Sequence, residues 1–112
     1  MAEVTTVQNY FDTLHERFVA DAAKGLKAIF QFELAGEAGG TYNVVVDDGK
    51  MTWAKEAHAA PGITIKMAAE DFVKMVNGKL NGQLAFMTGK MKIAGQIPLA
   101  MKMQTLFPAG KA

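Results

Sequence analysis

The chain contains no cysteine and no serine among its 112 residues. These absences exclude a disulfide framework, a thiolate zinc site and the two commonest side-chain nucleophiles. No apolar run approaches the about 20 residues that span a bilayer. The first residues also lack the basic and apolar regions of a signal peptide. We therefore expect a cytoplasmic protein without disulfides.

Arginine is almost absent, because Arg17 is the only one in the chain. Residues 1–56 carry nine acids and five bases, whereas residues 57–112 carry two acids and seven lysines. Nucleic-acid-binding surfaces usually add arginine to hold phosphates and bases, so we expect no nucleic-acid partner. The lysine excess favours a transient contact with an anionic membrane surface. A solvated lysine face that aids solubility is the alternative.

Patterns that mark catalytic or metal sites are missing as well. His15 and His58 are the only histidines, and neither has a spacing typical of a metal or nucleophile site. The Gly-Lys pairs lack the serine or threonine that follows them in a phosphate-binding loop. Asp47 and Asp48 are adjacent carboxylates, for which a hairpin turn is a sufficient explanation. The sequence predicts no catalytic residue, no metal ion and no cofactor.

Hydrophobic periodicity predicts a single α+β domain over residues 1–112. Three- and four-residue steps from Val4 to Phe18 predict an amphipathic helix that Thr5 or Thr6 caps and Gly25 ends. Alternating residues then predict five strands, at about 30–34, 42–46, 51–55, 63–67 and 90–93. Two short helices precede the fifth strand and a terminal helix follows it. We expect one five-stranded mixed sheet with helices packed against one face.

Methionine is concentrated in the second half, which holds six of the eight in the chain. Because this side chain is unbranched and adaptable, it suits surfaces that fit varied apolar partners. Ordinary core filling is the alternative, although the chain has many other large apolar residues. The terminal helix, at about 97–107, carries Lys102 as its only charge and must be covered on several sides or cover something itself. A cavity with this helix as its lid explains both features.

The segments Gly78-Lys79-Leu80-Asn81, Ala85-Phe86, Gly89–Ile93 and Leu99–Gln104, together with Gln83 and Gly95, follow one family pattern almost in register. Through them the chain resembles the sterol carrier protein type two domain, also called the nonspecific lipid-transfer domain. The first half matches in outline, with an N-terminal helix and a tryptophan in the third strand. The resemblance implies helices layered on the sheet around a hydrophobic tunnel for fatty acids, fatty acyl-CoAs, phospholipids or sterols.

The resemblance also implies that the helix at 81–88 and the terminal helix contribute to the tunnel lining or its mouth. Gln83 is expected to offer a polar contact to a ligand head group. The apolar faces of the strands and of the helix that begins near Glu70 supply the remaining candidates. The predicted lipid-binding residues are Phe32, Trp53, Met67, Phe72, Met75, Val76, Gln83, Leu84, Phe86, Met87, Met91, Met101, Met103 and Gln104.

We therefore interpret the chain as a lipid-binding or lipid-transfer protein that holds a lipid-like ligand and is not an enzyme. The main alternative is an accessory or scaffold domain that presents a hydrophobic metabolite to partner enzymes. An enzyme that uses the pocket, such as an acyl-CoA thioesterase, and a purely structural module are further alternatives. The last residues lack the Ser-Lys-Leu signal that directs proteins to peroxisomes, which agrees with the expected cytoplasmic location.

Overall fold

The computed structural model of this chain describes residues 4–37 and 39–107. The helices are α1 (Val7–Asp12), α2 (Ala69–Val76), α3 (Gly82–Met87) and α4 (Ile97–Leu106). The strands are β1 (Lys27–Ala35), β2 (Gly40–Asp47), β3 (Lys50–Ala54), β4 (Ile63–Ala68) and β5 (Met91–Gly95). Two short 3-10 turns, Leu14–Glu16 and Ala20–Ala23, lie between α1 and β1. No helix in the described part of the chain is long and apolar enough to span a bilayer.

The five strands form one mixed sheet in the order β3-β2-β1-β4-β5. Neighbouring strands are antiparallel except β1 and β4, which are parallel. The β2–β3 hairpin turns at Asp48 and Gly49, whose φ angles of 47° and 85° lie in the left-handed region. Two successive positive φ angles match the right-handed twist of the flanking strands. The predicted mixed sheet and the predicted hairpin turn are therefore confirmed.

All four helices pack on one face of the sheet, as predicted. Alternate residues of the three central strands point to this face and are buried, and Phe30, Val44 and Ile65 are examples. The opposite face carries polar residues, two of which hold the loop before β4. Asn43 Nδ2 donates to the Glu56 carbonyl at 2.9 Å, and Gln31 Oε1 accepts from the His58 amide at 2.8 Å. These bonds satisfy two buried side-chain amides.

The core is organised around the ring of Phe11 on α1. This ring stacks on Tyr42 of β2 at a centroid distance of 4.1 Å. Phe32 of β1, Trp53 of β3 and Phe72 of α2 lie 5.7, 5.6 and 6.0 Å away. Phe11 is completely buried. One helical side chain thus connects three strands and a second helix.

The first helix is shorter than predicted, because α1 ends at Asp12 and does not continue to Lys24. Beyond it, most backbone groups bond locally in short turns, and two of them bond to other elements. The Val19 amide donates to the Leu106 carbonyl at 2.9 Å, and the Gly49 amide donates to the Ala23 carbonyl at 3.1 Å. Local 3-10 turn bonds and these two tertiary bonds together replace the helical ladder, so the apolar spacing was retained without a continuous helix. The predicted Thr6 cap is confirmed, since its Oγ1 accepts from the Asn9 amide at 3.0 Å.

The start of the described chain is tied to the end of α2 by a pair of hydrogen bonds. Asn77 Oδ1 accepts from the Val4 amide and Asn77 Nδ2 donates to the Val4 carbonyl, each at 2.8 Å. The Asn77 side chain follows α2 directly and is buried. Because both backbone groups of Val4 depend on this one amide, its removal leaves buried polar groups without partners.

We expect Asn77→Ala to lower the free energy of unfolding by about 2–4 kcal/mol, from the penalty for unpaired buried polar groups. Asn81→Ala is the matched control, since it removes an exposed helix cap and should cost about 1 kcal/mol. Urea denaturation measures both. Equal losses in the two variants would contradict a structural role for the Asn77 bonds.

Candidate functional site

The predicted lipid-binding residues divide into two sets, of which the first belongs to the core. Phe32, Met67, Phe72, Val76 and Met91 are buried, and Trp53, Met75 and Met103 are partly buried against them. The rings of β1 and α2 meet within this set, because the Phe32 and Phe72 centroids lie 5.6 Å apart. The structure therefore brings together the strand and α2 members of the prediction.

Two methionines of this set, Met75 and Met91, contact the start of α3. A Cβ atom placed at Gly82 would lie 3.4 Å from Met75 Sδ and 4.0 Å from Met91 Cε. The first turn of α3 thus rests between α2 and β5. The thioether side chains at this contact are unbranched and adapt to the shape of the helix they touch.

The second set lies on α3 and α4 and faces outward. Gln83 and Gln104 are exposed. The exposed fractions of Leu84, Phe86, Met87 and Met101 are 57%, 48%, 72% and 73%. α3 buries only the small residue Ala85 and directs its large apolar side chains away from the core. Such a cluster of exposed large apolar residues is typical of a surface that binds an apolar partner.

β5 lies between these two helices. α3 packs against β5, and α4 begins two residues after the strand ends. Met91 and Ile93 of β5 point toward the helix layer, where Met91 is buried and Ile93 is partly buried. Ile97 at the start of α4 is also 49% exposed, and the sequence analysis did not select it. The two exposed apolar helices therefore precede and follow the same edge strand in the chain, and α3 is the one that packs against it.

Two surface depressions are formed almost entirely by residues outside the predicted lining. The larger, of about 450 Å³, opens on the polar sheet face among residues such as Glu33, Lys66 and Lys92. The other, of about 330 Å³, lies between the β1–β2 end and the start of α4. Of the predicted lining residues, Met67 borders the larger one. An enclosed tunnel on the helix side stays a prediction.

Arg17 is a candidate functional residue that the sequence analysis missed. Its side chain is only 7% exposed, and no carboxylate within residues 4–37 and 39–107 forms an ion pair with it. The guanidinium donates through Nη1 to the carbonyl and the hydroxyl of Thr13, at 3.1 and 2.6 Å. Burial of a charge without a counter-charge is costly. The available sequence signal was its spacing, because Arg17 follows the apolar residue Leu14 by three residues, which is one helical step.

The surroundings of Arg17 place it inside the helix layer. Its guanidinium carbon lies 5.3 Å from the ring centroid of Tyr10, and that ring packs edge-on against Phe72 of α2 at 5.1 Å. The adjacent Phe18 lies 5.6 Å from Phe107, which follows α4. Burial raises the pKa of the Tyr10 phenol well above its ordinary value, and the Arg17 charge partly opposes this shift. The phenol therefore stays neutral beside the cation.

We expect the free energy of unfolding to fall as the pH rises above the ordinary tyrosine pKa of 10.0, because the unfolded phenol then loses a proton that the folded one keeps. Tyr10→Phe removes this contribution. Urea unfolding from pH 8 to pH 11 should show a steeper decline in the parent chain than in the variant, although the lysines titrate in both. Parallel curves would contradict the raised pKa.

His58 and Asp48, for which the sequence predicted no catalytic or metal-binding role, have structural roles. His58 Nδ1 accepts from the Ala60 amide at 3.0 Å, and Asp48 Oδ1 accepts from the Gly25 amide at 2.7 Å. Among the described residues, no three side chains of histidine, aspartate or glutamate form a group that could hold a metal ion.

Comparison with known proteins assigns this chain to a family. The model of the SCP-2 sterol transfer family matches residues 11–108, and the chain belongs to this family. Hydroxysteroid dehydrogenase-like protein 2 of Rattus norvegicus is 39% identical over 104 residues, which cover 89% of this chain and 19% of that protein. Its Homo sapiens counterpart is 36% identical and is covered to 24%. The chain thus spans about a fifth to a quarter of these relatives.

Solved structures agree with the assignment. The sterol carrier protein domain 2 of Helicoverpa armigera is 31% identical and superimposes with a TM-score of 0.66, covering 95% of this chain and 88% of that one. The sec-alkylsulfatase Pisa1 from Pseudomonas sp. reaches a TM-score of 0.81 at 18% identity. The match covers 96% of this chain but 17% of the sulfatase, so it shows that a much longer protein contains the same fold.

Proposed function

We propose that this domain binds a fatty acid, a fatty acyl-CoA or a similar apolar ligand on the helix side of its sheet and transfers it unchanged. The observation that carries this proposal is the outward-facing cluster of large apolar side chains on α3 and α4, next to an aromatic core. Two Aedes aegypti proteins of the same fold support a fatty-acid ligand, since their structures are described as palmitated SCP2L2 and as SCP-2 with palmitate.

The proposed entrance lies between α3 and α4. α3 has six residues and a single buried side chain, Ala85, so little core packing opposes its displacement. An acyl chain that enters there reaches Met91 and Met75 first and the aromatic core behind them. Burial of about ten methylenes contributes roughly 8 kcal/mol, and a bilayer offers a similar energy. Exchange between this domain and a membrane is therefore close to balanced.

Arg17 is the proposed anchor for an anionic head group. A carboxylate bound to its guanidinium would neutralise a buried charge that has no acidic partner in the described part of the chain. The ring of Tyr10 lies 5.3 Å from the guanidinium carbon, and its phenol adds no competing negative charge because burial raises its pKa. An acyl chain would extend from this anchor between the sheet and α4 toward α3.

We expect Phe86→Asp and Met101→Asp each to weaken binding of a fluorescent fatty acid at least about 10-fold, because each charge would have to be desolvated against the acyl chain. Thr52→Asp, on the exposed edge strand β3, is the matched control and should bind normally. Fluorescence titration gives the affinities, and native mass spectrometry of the purified protein identifies the co-purifying ligand. Normal binding by both helix variants would overturn the proposed entrance.

We expect Arg17→Gln to weaken palmitate binding about 10- to 100-fold, as the loss of a charge-assisted hydrogen bond predicts. Binding of hexadecanol, which has no carboxylate, should change little. Arg17→Lys should restore part of the palmitate affinity, since the charge returns without the planar geometry. Calorimetric titration with both ligands measures the difference. An equal loss for acid and alcohol would show that Arg17 acts through the fold alone.

The second candidate function is that of an accessory domain that holds a hydrophobic metabolite for an enzyme. It is favoured by the relatives' lengths, because this chain corresponds to about a fifth to a quarter of a hydroxysteroid dehydrogenase-like protein. We assign no chemical step to the domain in either case. If it serves an enzyme, Phe86→Asp should lower turnover of apolar substrates by that enzyme but leave turnover of short, soluble substrates unchanged.

A further inference from the structure

We propose that the β5 edge of the sheet, with α3, which packs on β5, and α4, which follows it in the chain, is the surface that docks on an anionic membrane. We call this surface the β5 rim. It consists of Lys66, Lys90 and Lys92 toward the polar sheet face and of Leu84, Phe86, Met87, Ile97 and Met101 toward the helix face. The inference rests on the proposed function only in that the same helices form the ligand entrance.

Two lysines of the β5 rim repel each other, which lowers the stability of the fold. Lys66 on β4 is directly opposite Lys92 on antiparallel β5, and like charges in that position repel each other. One carboxylate, Glu33, lies 3.7 Å from Lys66. Within residues 4–37 and 39–107, no acid forms an ion pair with Lys90 or Lys92. An external anion would relieve this repulsion.

The sequence around the rim excludes negative charge. No aspartate or glutamate occurs after Asp71 in the remaining 41 residues, which carry six lysines. The three rim lysines also border the depression of about 450 Å³ on the polar sheet face. An anionic lipid head group therefore meets only positive charge along the rim itself, with Glu33 behind Lys66.

The apolar side of the rim complements these lysines. Met87 and Met101 are 72% and 73% exposed, and they lie on the helices that precede and follow β5 in the chain. At a membrane surface, apolar side chains enter the boundary of the acyl chains while lysines reach the head groups. Docking on this edge turns the proposed ligand entrance toward the bilayer. A flat contact through the lysine face alone would turn it away.

The opposite edge of the sheet provides a matched control. β3 is also an edge strand, and Lys50 and Lys55 lie at its two ends and are exposed. This edge is adjacent to Asp47 and Asp48 of the hairpin. The residue at the middle of β3, Thr52, is polar and exposed. The β3 edge has comparable lysines without the acid-free, apolar surroundings.

The first test compares Lys90→Gln/Lys92→Gln with Lys50→Gln/Lys55→Gln in sedimentation with vesicles of phosphatidylcholine, with and without phosphatidylserine. Both double variants change the net charge from +1 to −1. The rim variant should bind anionic vesicles about 10- to 30-fold more weakly, which corresponds to roughly a three- to fivefold loss for each lysine. The β3 variant should bind as the parent does. Equal weakening, or binding that ignores phosphatidylserine, would overturn the proposal.

Lys92→Glu separates docking from folding. This change places opposite charges across the β4–β5 pair, so stability in urea should be equal to that of the parent or higher. Affinity for anionic vesicles should fall further than in the glutamine variant. A stable Lys92→Glu protein that still binds them as tightly as the parent would refute the rim.

The depth of insertion can be measured because the chain has no cysteine. A polarity-sensitive dye on Met87→Cys should shift to the blue with anionic vesicles, whereas the same dye on Thr52→Cys should not. Equal responses at the two positions would refute docking at this edge. A dimer that persists on the vesicles and keeps Met87 covered would also refute docking at this edge. Light scattering detects such a dimer.

The docking proposal and the proposed function can fail independently. Fatty-acid affinity is measured without vesicles, and vesicle binding is measured without added fatty acid. The rim lysine variants should bind fatty acid normally in solution. Absence of fatty-acid binding with intact docking would refute the proposed function and support the rim, and the reverse result would do the opposite.

Discussion

The ring of Phe11 is the contact on which the rest of the structure depends. It stacks on Tyr42 at 4.1 Å and lies about 6 Å or less from rings on β1, β3 and α2. A six-residue helix such as α1 is marginal on its own, so packing and not propensity holds it in place. This contact closes the sheet against α1 and α2. It does not extend to α3 or α4, which are held by other and fewer contacts.

That difference divides the helix layer into two parts with different tasks. α1 and α2 insert aromatic rings into the core, whereas α3 is anchored by Ala85 and by the two methionines that border Gly82. α4 is held through Leu99, Leu106 and the bond from the Val19 amide. Regions with few buried apolar contacts open at lower free energy than the core. A stable half and an easily displaced half are what a protein needs to admit a ligand without unfolding.

The two faces of the sheet carry different positively charged groups. The helix face contains Arg17, a cation whose carboxylate partner has to come from outside the described residues. The polar face places Lys66 opposite Lys92. Both arrangements cost stability, and in the two proposals a bound anion relieves each of them. The domain therefore combines apolar surfaces with anion-seeking groups, as binding of amphipathic molecules requires.

Periodicity by itself determined the strands, the hairpin at Asp48 and Gly49, and the α+β class, because these depend on local spacing and turn chemistry. The segments from Gly78 to Gln104 were sufficient to indicate the family. Only the tertiary structure showed that the predicted helix does not reach Lys24, since Val19 and Ala23 bond to α4 and to the hairpin, far along the chain. It alone also showed that Phe72 and Arg17 are buried whereas Met87 is exposed. Burial depends on neighbours from distant segments, and no local pattern encodes them.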